Sequence, residues 1–325
     1  MMPRGMPAEV LSFLAPRLAA MLRRAAEEAP APVEEVRVRE GRPLQMVYPG
    51  GDAFVTADGR LTPDPARGEP ATHDDLVRSF QLMAQGSVYA WEEEVRSGFL
   101  TLPGGHRVGL AGRVVLEEGR IRTIKHVSSL NIRIAREVKG CAAPLLPRII
   151  RGGRVLSTLI FSPPQAGKTT LLRDLVRQIS TGVAALGLRG QKVGLVDERS
   201  EVAACSAGVP QRDVGPRTDV LDGCPKAEGM MLLIRALSPD VIAVDEIGRP
   251  ADAVAVKEAL HAGVSVIATA HAGDLASLAR RSAMAELLQE GAFQRAVLLG
   301  RSRGPGTVER VFNLDEAGGD RIAAG

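Results

Sequence analysis

The stretch that most restricts what this chain can fold into is Phe161 to Thr170, FSPPQAGKTT, where a Gly-Lys-Thr triplet stands between a β-type apolar run and a helical pattern. The run Val155 to Phe161 is rich in Val, Leu, Ile and Thr and has the length of one buried strand. Beyond the triplet, Leu171, Leu172, Leu175, Val176 and Ile179 recur at helical spacing, so the triplet sits where a helix begins. Strand, loop and helix in that order form a phosphate-binding loop, because unpaired backbone N–H groups and the positive end of the helix dipole converge on one anion. The cofactor-binding residues read from it are Ser162, Pro163, Pro164, Gln165, Ala166, Gly167, Lys168, Thr169 and Thr170. Lys168 is expected to reach the β- and γ-phosphates of ATP as a point charge. The Thr169 hydroxyl is expected to complete the coordination of a Mg2+ ion held by those phosphates, with Thr170 as the spare. The general motif opens with Gly, whereas Ser162 holds that place here and two prolines follow it. The loop is therefore stiffer than a glycyl one, although Gly167 remains where the backbone must come closest to phosphate.

Everything after residue 153 alternates strand and helix. Strands are expected near Leu156, at Val193 to Val196, at Val241 to Val244 and at Val264 to Thr269, with helices from Lys168, Ala227 and Ala251 between and after them. That alternation predicts an α/β fold with a parallel sheet and crossover helices, whose ligands gather at the carboxyl ends of the strands. Each predicted strand end carries polar groups: Asp197, Glu198 and Arg199 on one, Asp245 and Glu246 on another, His271 on the last. In Val241 to Gly248, VIAVDEIG, four apolar residues precede two acids, the form of a second magnesium-site motif. Asp245 is then the metal carboxylate and Glu246 the base that polarises the attacking water; Glu198 and Glu201 of VDERSE are the alternative bases. His271 could sense a γ-phosphate by a hydrogen bond lost when phosphate leaves. Arg199, Arg212, Arg217 and Arg249 are candidates to neutralise transition-state charge. His261, Cys205 and Cys224 are read as structural.

The first half reads as a smaller α+β domain over residues 1–136. A helix from Ala8 to Glu28, interrupted near Pro16, leads to a strand at Glu35 to Arg39 and a hairpin of Leu44 to Tyr48 with Ala53 to Thr56. A helix from Thr72 to Gln85, strands within Phe99 to Val115 and a last strand at Ser128 to Ile134 follow. Residues 137–153 gain Pro and Gly and lose alternation, which predicts a linker, with the ATPase domain over 154–325.

Composition narrows the partners. Aromatic residues are 3% of the 325, so a nucleic-acid surface built on stacked rings is poorly supplied. With 41 basic and 38 acidic residues the net charge is +3, too balanced to imply a polyanion, and no nucleic-acid partner is expected. Three cysteines without CxxC spacing indicate neither a disulfide framework nor a zinc site and fit a reducing cytoplasm. No apolar run approaches the roughly 20 residues that cross a bilayer, so direct membrane insertion is not expected, while docking on a membrane complex stays compatible.

Several blocks carry more than a generic loop: SPPQAGKTTLLRDLVRQIS, the long block from VGLVDERSEVAACSAGVPQRDVGP through DVIAVDEIG, and the earlier EEVRVREGRPL and SLNIRIARE. From about Glu34 to about Val311 they resemble the stage III sporulation AA family of the secretion ATPase superfamily, which includes type II and type IV secretion and pilus motors. The resemblance implies a RecA-like P-loop core that assembles into a homo-hexameric ring, with ATP between the C-terminal domain of one subunit and an N-terminal domain. It matches Lys168 and Thr169 to the loop, Asp245 and Glu246 to Walker B, Asp197 to Glu201 to the acidic box and His271 to the histidine box. It further implies N-terminal-domain arginines near the phosphates, here Arg133 and Arg136. The setting it implies is endospore formation, in the mother-cell cytoplasm, with the membrane proteins of the stage III channel complex as partners. Two other classes compete: a nucleic-acid-binding RecA-like ATPase, and a nucleotide-dependent scaffold with little turnover.

Overall fold

A computed structural model describes residues 6–83, 98–117, 119–135, 138–206 and 208–315. The chain forms two compact units, Met1–Arg136 and Glu137–Gly325.

In the first unit, helices α1 (Ala8–Ser12) and α2 (Pro16–Glu28) are separated where Pro16 starts the second at its first helical position, and α2 buries Leu18, Met21, Leu22, Ala25 and Ala26. Among the described residues this unit holds seven strands: β1 (Glu35–Arg39), β2 (Gln45–Tyr48), β3 (Gly51–Val55), β4 (Leu61–Thr62), β5 (Phe99–Leu102), β6 (His106–Glu117) and β7 (Arg120–Arg133). Helix α3 (His73–Met83) lies between β4 and β5 in sequence. The sheet order is β4-β3-β2-β1-β7-β6-β5, every pair antiparallel. Strand β1 shows why it forms: Val36 and Val38 point inward to Met46, Leu130 and Ile132, and Glu35, Arg37 and Arg39 take the other face. Helix α3 starts on a reciprocal cap, in which the Thr72 hydroxyl accepts from the Asp75 N–H and the Asp75 carboxylate accepts from the Thr72 N–H. Strand β7 starts at Arg120 rather than at Ser128. Its outer half pairs with β6 beyond the core and leaves Val114, Leu116 and Ile121 exposed, so no inward alternation marks it.

The second unit opens with helix α4 (Leu146–Ile149) and the short strands β8 (Ile150–Arg151) and β9 (Arg154–Val155), then β10 (Thr158–Ser162) and α5 (Lys168–Thr181). The short strands β11 (Gly182–Val183) and β12 (Leu188–Arg189) precede β13 (Val193–Asp197), β14 (Thr218–Asp222), α6 (Lys226–Leu237), β15 (Val241–Val244) and α7 (Pro250–His261). Then come β16 (Ser265–His271), α8 (Leu275–Ala279), α9 (Ser282–Gln289), β17 (Arg295–Gly300) and β18 (Thr307–Asn313). The main sheet runs β14-β13-β15-β16-β10-β17-β18, parallel throughout except for β18, which returns antiparallel on β17. Every residue of β10, β13 and β15 is buried, as expected for strands covered on both faces. Helices α6, α7 and α9 pack over Leu159, Phe161 and Val244 on one face, and α4 and α5 over Ile160, Leu195 and Val297 on the other.

The Pro- and Gly-rich stretch read as a linker is not a free tether over its described part, residues 138–153. Ala142, Leu145, Leu146 and Ile149 are buried in the second unit's core, and the Ala142 N–H donates to Asp174 Oδ2 at 2.8 Å.

Candidate functional site

Strand register assembles the site. Ser162 stands level with His271 between β10 and β16, Val244 with Ala268 between β15 and β16, and Val196 with Val244 between β13 and β15. Four parallel strands therefore finish along one edge, and the side chains just past their ends meet. Between β10 and α5 the chain turns with Gln165 (φ 59°) and Gly167 (φ 88°) in the left-handed region, and Gly167 is the residue that starts the helix.

Lys168 is 5% exposed, with Nζ 3.2 Å from Ser162 Oγ and 3.1 Å from His271 Nδ1. Burial lowers its pKa, opposed by the charges of Glu246 and Asp245. The Thr169 hydroxyl donates to Asp245 Oδ2 at 2.9 Å, and the Thr269 hydroxyl donates to the other oxygen of the same carboxylate. Glu246 has φ 56°, a conformation that costs a non-glycine residue about 1 kcal/mol or more. Its N–H donates to Thr269 Oγ1 at 2.8 Å. Its carboxylate lies between His271 Nε2 at 2.6 Å and Arg199 Nη1 at 3.5 Å. An ammonium only donates, so Lys168 makes Nδ1 of His271 the acceptor. The ring proton then sits on Nε2, where it donates to Glu246. Lys168, Thr169, Asp245, Glu246, His271 and Arg199 thus form one connected cluster.

Other sequence candidates stand elsewhere. Asp197 is 1% exposed and accepts the N–H groups of Glu201, Val202 and Ala203 at 2.9, 3.0 and 2.8 Å, so it ties its own turn together. Burial pushes its carboxyl up against those three donors, with a net upward shift. Glu198 is ion-paired with Lys226, and that hydrogen bond holds its carboxyl below the usual range. Glu201 is exposed, and its carbonyl accepts from Arg173 Nη2 at 2.6 Å. Arg217 donates to the Ser180 carbonyl at 2.9 Å, Arg212 to the Ala203 carbonyl through its N–H at 3.0 Å, and Arg249 begins α7. Arg133, in the first unit, has Nε 3.6 Å from Glu35 Oε2; Arg136 lies outside the described residues. His261 is exposed at the end of α7, and burial pushes the Cys205 thiol up to about 12.

Sequence reasoning missed Thr269, which joins Asp245 to the Glu246 backbone. It lies two residues before His271 on the same face of β16, and strand periodicity carried that signal. It also missed Arg301 and Gly306, between β17 and β18, which contact Gln165 and Ala166 and which no motif flagged.

Among the described residues no group of three or more His, Cys, Asp or Glu could hold a metal by itself. One hydroxyl and one carboxylate, Thr169 and Asp245, meet at the helix start, and a hard cation there would draw its remaining ligands from phosphate oxygens and water. That donor set fits Mg2+ accompanied by phosphate. A cleft of about 450 Å3 is lined by Cys141, Leu145, Arg148, Arg303, Gly306 and Val308, on the side of the β17–β18 turn.

The model of the family described as sporulation stage III, protein AA, matches residues 6–320. The chain is 46% identical over 283 residues to stage III sporulation protein AA of Bacillus subtilis (strain 168), covering 87% of each chain. Among solved structures it is similar to the ATPase DotB of Yersinia pseudotuberculosis, with a TM-score of 0.53, 14% identity and coverage of 92% of this chain and 76% of that one. The DotB of Legionella pneumophila gives 0.51, 14%, 86% and 74%. At that identity the likeness concerns the fold.

Proposed function

The chain belongs to the sporulation stage III, protein AA family, and from that premise and the geometry above we propose that it is an ATP-hydrolysing ring motor of the secretion ATPase type. The observation that carries the proposal is the single cluster in which Lys168, Thr169, Asp245, Glu246 and His271 meet at the carboxyl edge of the parallel sheet. In this reading the β- and γ-phosphates lie over the start of α5, where the first-turn N–H groups and Lys168 meet their charge. Lys168 Nζ exchanges its contacts with Ser162 and His271 for phosphate oxygens, a short move for a side chain already aimed along the loop. Thr169 and Asp245 would hold Mg2+, which, when bound, would neutralise charge on the transferred phosphoryl group.

Glu246 accepts the proton of the attacking water. The Thr269 hydroxyl fixes its backbone, and Arg199 and His271 fix its carboxylate. When Lys168 turns to phosphate, Nδ1 of His271 loses its donor, so the ring's hold on Glu246 depends on whether phosphate is present. His271 is therefore the residue that reports the γ-phosphate. Glu198, ion-paired with Lys226, is the less suited base in this reading. The cleft beside Gly306 receives the nucleoside. A neighbouring subunit's first unit supplies Arg133 and Arg136 to the phosphates in a homo-hexamer, and hydrolysis energises the mother-cell side of the stage III channel through its membrane proteins. No helix among the described residues is long and apolar enough to cross a membrane.

Glu246→Gln tests the proposal. The variant is expected to bind ATP as the parent does while releasing phosphate at least about a hundredfold more slowly. Unchanged turnover would remove Glu246 from the reaction.

A further inference from the structure

Every carbonyl from Ser162 to Gly167 is engaged. Ser162 O accepts from Ala272 N at 3.1 Å, Pro163 O from Ser162 Oγ at 2.7 Å and Gly167 O from Leu171 N at 3.0 Å. The middle three belong to the hairpin turn between β17 and β18. Arg301 Nη2 donates to Gln165 O at 2.8 Å and to Pro164 O at 3.3 Å, and Gly306 N donates to Ala166 O at 2.8 Å. The approach is close enough that a Cβ on Gly167 would lie 2.9 Å from Gly306 N. Gly167 is thus required by the hairpin as well as by its φ of 88°.

A planar trans peptide points its C=O and N–H in opposite directions. Holding the carbonyls of Pro164, Gln165 and Ala166 outward therefore turns the N–H groups of Gln165, Ala166 and Gly167 the other way. Those three N–H groups meet no protein acceptor among the described residues. Pro163 and Pro164 have no N–H to give, so these are the first donors the loop possesses. We propose that the β17–β18 turn is a strap that presets the anion site, with Arg301 and the Gly306 N–H aiming three backbone amides at the triphosphate. It does for a prolyl loop lacking the opening glycine what local loop geometry does in a glycyl one. Arg301 is a positioning residue: it acts on the anion through the loop backbone. The inference rests on the phosphate-loop reading of residues 162–170.

The test measures the affinity of the full chain for inorganic tripolyphosphate with Mg2+ by calorimetry, together with KM and kcat for ATP. Losing the charge-assisted bonds of Arg301 in Arg301→Ala is expected to raise both the dissociation constant and KM about tenfold. The kcat is expected to stay within about twofold, because pre-aimed amides serve ground and transition states alike. Arg301→Lys, which keeps donors and charge, is expected to recover most of the loss. Arg235→Ala removes an equal charge from the exposed side of α6, outside the loop and the cleft, and it is expected to behave as the parent. Parent-like binding by Arg301→Ala, or an equal loss in Arg235→Ala, would overturn the strap. Absence of binding by the parent, or binding that Lys168→Ala leaves unchanged, would instead overturn the phosphate-loop reading and the strap with it.

Discussion

Two adjacent strands of the second unit end in the same three residues and use them in opposite ways. Val196-Asp197-Glu198 closes β13, Val244-Asp245-Glu246 closes β15, and Val196 pairs with Val244. Asp197 spends its carboxylate on three N–H groups of its own turn, and Glu198 on Lys226. Asp245 faces two hydroxyls, and Glu246 faces His271 and Arg199. The residues after each triplet decide the difference. Past Glu198 the chain wraps through Ser200 at φ 50°, which brings residues 201–203 over Asp197. Past Glu246 comes Ile-Gly-Arg-Pro, where α7 begins, and Asp252 accepts the N–H groups of Gly248 and Arg249 at 3.0 and 2.9 Å. A local acid satisfies that backbone, so Asp245 is left for other partners. Identical acids at identical strand ends are separated by their neighbours' backbone demands.

The contrast can be broken by exchanging the two sets of acids. The largest difference is expected in turnover: Glu246→Gln lowers kcat at least about a hundredfold, whereas Glu198→Gln stays within about threefold. A comparable loss from both would erase the distinction. Next is stability, read by denaturant unfolding. Asp197→Ala is expected to cost about 2–4 kcal/mol because it leaves three buried donors unmet, while Asp245→Ala costs much less and instead weakens Mg2+-dependent nucleotide binding. Asp252→Ala uncovers the start of α7 and is expected to cost about 1 kcal/mol.

The smallest effect is electrostatic. Glu198 has its carboxyl held low by the Lys226 hydrogen bond first, against burial, with Lys226, Arg249 and Arg199 adding charge. A depressed folded-state pKa gives stability that is present above the unfolded value of about 4.3 and is lost as pH falls through the folded one. Glu198→Gln is therefore expected to reduce stability by about 0.5–1 kcal/mol at neutral pH, with the gap closing below about pH 4. A gap that persists in acid would assign the loss to packing.

The strand, loop and helix around Lys168 were legible because a continuous apolar run, a triplet and a 3.6-residue repeat coincide there. Strand β1 was legible because Val36 and Val38 alternate with charge. The two Val-Asp-Glu ends were visible but not separable, since hydrogen bonds from residues 201–203 and from Lys226 depend on how the chain turns afterwards. Thr269 was within reach of strand periodicity. Arg301 and Gly306 were not, because their partners lie about 140 residues away and the contacts are to backbone carbonyls, which leave no residue-type signature. Strand β14, Thr218–Asp222, has acids at two of its five positions and sits at the sheet's edge, where the burial that writes an apolar run is missing. Residues 142–149 were hidden by prolines that mark turns without saying whether the turns are packed.

The most direct test of the account is Mg2+-dependent phosphate release from ATP at several protein concentrations, with Lys168→Ala beside the parent. Release is expected to disappear in Lys168→Ala and to rise per subunit with concentration, as a site completed by a neighbour requires. Release that survives in the variant, or is absent from the parent at every concentration, would contradict it.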